Sequence, residues 1–152
     1  MQLSIYISYS NNIEELAKLV RQIFMEISEE IILQNTNNIY YVNHANFALR
    51  IDYDDKISVD HINEEAKIDI NHCIDVSVFA KTLDVGLNTL FRFINRLMSC
   101  IDGDIAFDDS ESGVILIRSG GDLYVNSSWK ENPDIYKWPF ELIDGSFKET
   151  LL

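Results

Sequence analysis

The sequence predicts an α+β fold: a mainly antiparallel sheet of about five to seven strands with two helices packed on one face. Three patterns carry this expectation. Leu87, Leu90, Phe91, Ile94, Leu97, Met98 and Ile101 recur at the spacing of one helical face. Residues 105–126 then break into three short apolar runs separated by turn-forming residues, the signature of a β-meander. Near the start, Leu3, Ile5, Ile7 and Tyr9 alternate with Ser4, Tyr6 and Ser8, which is the period of a half-buried strand.

Taken in order, the opening strand ends at Ser10-Asn11-Asn12. Asn11 with Glu14 three residues on has the form of a capping box, and Ile13, Leu16, Ala17, Val20, Ile23, Phe24 and Ile27 mark a helix to about Glu29. Ile31-Ile32-Leu33 is compatible with either the end of that helix or an edge strand, and residues 34–38 read as a loop. Ile39 to Val42 is β-prone, and Asn43 to Asn46 is a turn or bulge. Phe47, Leu49, Ile51 and Tyr53 alternate with polar residues as a further strand. Asp54-Asp55 turns the chain, Ile57 to Val59 is a candidate to pair back, and His61 to Ala66 reads as an exposed acidic loop. From Ile68 to Ala80 the even positions are largely apolar, giving one long strand or two strands broken near Asn71-His72.

Asp84 is placed to cap the second helix, and its charge suits a helix N-terminus. Gly103 is placed to close that helix in a left-handed conformation. Asp108 to Gly113 is turn chemistry, Val114 to Arg118 is a near-continuous apolar strand, and Ser119-Gly120-Gly121-Asp122 forms a hairpin to Leu123–Asn126. After Asn126, Trp129, Tyr136, Trp138 and Phe140, interrupted by Pro133 and Pro139, predict an extended segment anchored over the core by its aromatic rings.

At 152 residues the chain is read as one domain, residues 1–152, long enough for a core without staples. No apolar run approaches the ~20 residues of a membrane span, and the first residues begin a strand rather than a leader, so a cytoplasmic protein is expected. Cys73 and Cys100 read as buried thiols. The formal net charge is −13, from 25 acids against 12 Lys and Arg. Residues 51–111 hold 14 of the acids and 5 of the bases. Such a field opposes direct binding of nucleic acid through phosphates and favours fast encounter with a basic protein.

The sequence carries no catalytic pattern. No Gly-rich phosphate loop occurs, no Ser or Cys lies in a nucleophile pattern, and His44, His61 and His72 are scattered as surface residues would be. Asp102-Gly103-Asp104 lacks the further oxygens of a calcium loop. No metal, cofactor or catalytic residue is therefore assigned, and the protein is read as a non-enzyme. Asp108, Asp109 or His72 leaves an acid-cluster hydrolase as one alternative, and a non-catalytic adaptor with a different partner is another.

Phe79-Ala80-Lys81, the following helix, Gly103-Asp104-Ile105-Ala106-Phe107 and Leu116–Asn126 with its Arg118-Ser119-Gly120-Gly121 turn together resemble the C-terminal half of SitI-type immunity proteins. The wider class is contact-dependent growth inhibition immunity proteins of bacterial polymorphic-toxin systems. The resemblance spans residues 75–126 and rests on residues suited to turns and sheet geometry. It implies a cytoplasmic inhibitor that occludes the cleft of a cognate toxin domain, a basic nuclease being the expected type; the oligomeric state is left open, with a monomer favoured. The acidic surface expected to meet that partner comprises Asp52, Tyr53, Asp54, Asp55, Asp60, Glu64 and Glu65, with Asp108, Asp109 and Glu111 of the turn.

Overall fold

A computed structural model of the chain describes residues 1–52, 56–128 and 138–152. Among the described residues nine strands form one sheet: β1 (Gln2–Ile7), β2 (Ile32–Thr36), β3 (Ile39–Asn43), β4 (Phe47–Ile51), β5 (His72–Val78), β6 (Ile105–Asp109), β7 (Gly113–Ser119), β8 (Asp122–Asn126) and β9 (Lys148–Thr150). Their spatial order is β2-β3-β4-β5-β1-β6-β7-β8-β9. Every pairing is antiparallel except β8 with β9. Among the described residues three α-helices accompany the sheet: α1 (Ile13–Glu26), α2 (Lys56–Ala66) and α3 (Leu83–Cys100).

Side-chain alternation divides the sheet into two faces. Leu3, Ile5 and Ile7 of β1, Leu49 and Ile51 of β4, and Ile74 and Val76 of β5 point to the front, where α1 and α3 cover them in the main core. Tyr6, Cys73, Ala106 and Ile117 point to the back and pack with Val59 and Ile62 of α2 in a smaller core. The two-helix face was legible; α2 on the opposite face was not. Only Val59 and Ile62 of its eleven residues are buried. Val59, Ile62 and the partly buried Ala66 are helically spaced, but so thin a stripe hardly stands out in a polar stretch. Residues 56–66, expected as a returning strand and an acidic loop, are therefore helical.

The strand count also exceeds expectation, for a related reason. β2 is an edge strand with Gln34, Asn35 and Thr36 exposed, and all three residues of β9 are exposed. Neither buries a face, so neither alternates. The β2–β3 connection is the two-residue turn Asn37-Asn38, whose φ angles of 52° and 63° are those of a tight type I′ hairpin. Asparagine tolerates this conformation because its side chain bonds locally.

The helix ends show what local sequence hides. Asn12, not Asn11, caps α1 by accepting from the Glu15 amide at 3.0 Å. α1 ends at Glu26 rather than Glu29, because Ser28 adopts φ 60° and the amides of Ser28 and Glu29 turn back to Met25 and Phe24. That is a Schellman closure with serine in the place usually held by glycine. Ser28→Gly is expected to raise stability by about 1 kcal/mol by relieving the Cβ penalty of the left-handed region, read as a higher urea midpoint at unchanged slope.

α3 begins at Leu83 with Thr82 as its cap residue, so Asp84 lies in the first turn instead of capping. Gly103 does not close α3. Its φ is not positive, and the residue after the helix, Ile101, is extended. Glycine is required there because a Cβ would sit 2.6 Å from Ser8 Cβ and 2.7 Å from Ser8 O. The closing group is Arg118 of β7, whose guanidinium donates to the carbonyls of Met98 at 2.6 Å, Ile101 at 2.6 Å and Gly103 at 2.7 Å.

Of the C-terminal aromatic segment, residues 129–137, with Trp129, Pro133 and Tyr136, lie outside the described residues. Trp138 and Phe140 do pack over the core, against Phe91. Two side chains sit differently from expectation. Cys73 is buried but Cys100 is exposed. His44 is buried rather than on the surface: its Nδ1 accepts from the Asn46 amide, its Nε2 donates to Glu29 at 3.0 Å, and its ring stacks on Phe47. Glu29 in turn pairs with Arg92 of α3 at 3.1 Å, which ties the end of α1 to α3.

Candidate functional site

Three of the predicted acidic residues, Asp60, Glu64 and Glu65, lie on α2. Asn63 fixes the helix by a two-way amide clasp, accepting from the Ile70 amide and donating to its carbonyl, each at 2.8 Å. With Val59 and Ile62 held beneath, Asp60, His61, Glu64 and Glu65 are left exposed to solvent. His61 and Glu65, one turn apart, approach to 3.4 Å.

Asp108 of β6 meets this helix from below. It pairs with Ser4 in register, so it shares the back face with Tyr6 and Ala106. Partial burial raises its carboxyl pKa to about 6, reinforced by the negative charges of Asp109 and Glu65 and eased by nearby His61. Glu65 and His61 of α2 thus act on a strand residue some forty positions further along the sequence. Burial of a charge without compensation is the dominant cause.

A carboxyl that holds its proton more tightly in the folded state than in the unfolded chain destabilises the fold once ionised. Stability from this group is greatest below the ordinary carboxylate range and falls as pH rises from that range to about 6. Asp108→Asn is expected to gain about 1 kcal/mol at pH 7, after discounting for the exposed half of the group. The gain should vanish near pH 4, as measured by urea unfolding at both pH values.

The remaining predicted residues separate. Glu111 is exposed in the turn, but Asp109 is buried and its Oδ1 accepts from the Glu111 amide at 3.1 Å, so it shapes the turn rather than its surface. Adjacent positions of a strand point to opposite faces, so Asp108 and Asp109 do not converge as an acid–base pair. His72 Nε2 lies 3.0 Å from the Asn11 carbonyl, and its ring sits beside Tyr9. Asp52 is ion-paired with Arg50 and lines a depression of about 470 Å³ with Lys56, Val59 and His72. It therefore sits toward the N-terminal end of α2, whereas Asp108 lies by His61 and Glu65. Tyr53, Asp54 and Asp55 fall outside the described residues.

The residues behind the family resemblance have structural duties. Arg118 caps α3 at the Met98 carbonyl and binds the chain beyond it at Ile101 and Gly103. Asp104 accepts from the amides of Gly120 and Asp69, both at 3.2 Å, which binds the β7–β8 turn to the chain entering β5. The Asp102-Gly103-Asp104 stretch is thus a clamp built on Arg118. Among the described residues no group of three or more His, Cys, Asp or Glu is placed to hold a metal ion. Among them, too, no helix is long and apolar enough to cross a membrane.

No family model matches the chain, and no curated protein or solved structure matches it either.

Proposed function

We propose that this protein is an immunity protein: a cytoplasmic, non-catalytic inhibitor that binds a cognate toxin domain and covers its basic cleft. The observation that carries the reading is the acidic outer face of α2, where Asp60, Glu64 and Glu65 are exposed and the charge of Glu65 acts on Asp108 of β6. A basic nuclease cleft is shaped to receive phosphates, and a concentrated carboxylate surface presents the same sign of charge. Long-range attraction speeds encounter, and apolar or hydrogen-bonded contacts near the centre of the interface supply most of the affinity. The net charge of −13 opposes nucleic acid itself as the ligand.

Co-expression tests this reading. The chain is produced together with a basic toxin domain encoded beside its gene. Growth restored to the toxin-free rate, with a one-to-one complex recovered on purification, is the expected result. Undiminished toxicity in cells that contain abundant folded protein would contradict it.

A further inference from the structure

The sheet ends in two unlike edges, β2 and β9. The β9 edge is three residues long and carries Lys148 and Glu149, the short and charged form in which a strand resists pairing with another chain. The β2 edge has five residues, with no charge, no proline and no break in its register with β3. Among the described residues no backbone hydrogen bond is made from its outer side. Ile32, 63% exposed, stands on it.

The hairpin decides which backbone groups are free. The His44 amide donates to the Phe47 carbonyl, so the even residues at this end of β3 bond toward β4. By alternation Ile39, Tyr41 and Asn43 bond toward β2, and their partners Thr36, Gln34 and Ile32 bond back to them. The N–H and C=O of Leu33 and Asn35 therefore point outward, one residue on each side of Gln34.

Charge selects the occupant. Residues 31–49 contain no Asp, Glu, Lys or Arg, in a chain of which 24% is charged and whose net charge is −13. Over the acidic parts of the surface two copies repel one another; at this edge they can meet. An uncharged edge offers a basic partner nothing to select, whereas an antiparallel copy of the same strand matches it group for group.

We propose that β2 pairs with β2 of a second copy, antiparallel about a two-fold axis at Gln34, so that the two sheets become continuous. Leu33 exchanges both backbone bonds with Asn35 of the second copy, and Asn35 does so with its Leu33. On the back face Ile32 lies opposite Thr36 of the second copy, a β-branched pair. Just outside the strands Glu30 meets Asn38 rather than a carboxylate. A strand pair this short buries less than a permanent dimer does, so the association is reversible and of modest affinity. The acidic face of α2 lies beyond β3 and β4, so failure of this pairing leaves the inhibitory reading standing, and the reverse holds too.

Sedimentation of the full-length chain from about 1 μM to about 1 mM should show the mass rising from one chain to two. Gln34→Lys brings two ammonium groups together at the axis and should weaken dimerisation about tenfold, as Gln34→Glu should with two carboxylates. An equal mixture of these two variants should dimerise at least as well as wild type, because opposite charges then meet. Asn35→Pro removes an outward N–H that β3 does not use, and should abolish dimerisation while the amide spectrum stays dispersed. Hydrogen exchange at Leu33 and Asn35 should slow about tenfold as wild-type concentration rises, with β9 unchanged. A single-chain mass at every concentration would overturn the pairing. So would a dimer that survives Gln34→Lys and Asn35→Pro, a mixture no stronger than either variant alone, or protection that appears at β9 or α2 instead.

Discussion

Arg118→Ala is expected to lower unfolding stability by about 3 kcal/mol, a loss readable in urea denaturation. The last carbonyls of any helix lack partners within it. In α3 no left-handed residue turns the chain back to satisfy them; the chain leaves extended at Ile101. Arg118 reaches from the neighbouring strand and donates to Met98, Ile101 and Gly103, the last through both Nε at 3.2 Å and a terminal nitrogen at 2.7 Å. A cation at this end also complements the helix dipole. Burial lowers the pKa of the guanidinium, while Asp102 and Asp104 counter that effect. Arg118→Lys should recover less than half of the loss, because an ammonium keeps the charge but not the planar fork that spans three acceptors. A loss below about 1 kcal/mol for the alanine variant would show that water satisfies these carbonyls equally well.

Phe91→Ala should cost more, about 4 kcal/mol. Phe91 is fully buried in α3 and stands between the sheet and the returning C-terminal segment. Its ring meets Phe107 of β6 edge-on at 5.6 Å, Phe140 edge-on at 5.7 Å and Trp138 at 6.1 Å. Truncation removes the surface that three other rings use, and a core packed this densely refills such a void incompletely. Because Trp138 rests on Phe91, its fluorescence should shift red in the folded variant. Phe91→Leu should lose less than half as much stability and leave the emission near the wild-type position. Equal losses for the two variants would argue against a ring-specific contribution.

These two residues also mark what a sequence can and cannot disclose. Phe91 was legible as core because α3 buries one continuous stripe, and β1, β4, β5 and β7 were legible for the same reason in period two or as an apolar run. β2, α2 and β9 were not, since each buries two side chains or fewer. Arg118 was visible only as a strand residue near a turn; its bonds to the end of α3 cross fifteen to twenty positions and leave no local pattern. Gly103 was assigned the right importance for the wrong cause, because the limit is space beside Ser8 rather than backbone conformation. Within the acidic surface, composition revealed the charge but not its grouping. The tertiary fold lets the charge of Glu65 act on Asp108, and strand alternation turns Asp109 away.

The most direct measurement of the proposed inhibition is the association rate of this protein with a catalytically inactivated candidate toxin domain as salt is varied. For Asp60→Lys, Glu64→Lys and Glu65→Lys combined, the low-salt rate should fall by about tenfold or more, on the order expected when electrostatic steering is lost. Urea stability should change little, since these side chains are exposed on α2. The wild-type rate should also fall steeply with salt. Wild-type and variant rates that coincide at low salt, with little salt dependence in either, would contradict a docking surface built on the charge of α2.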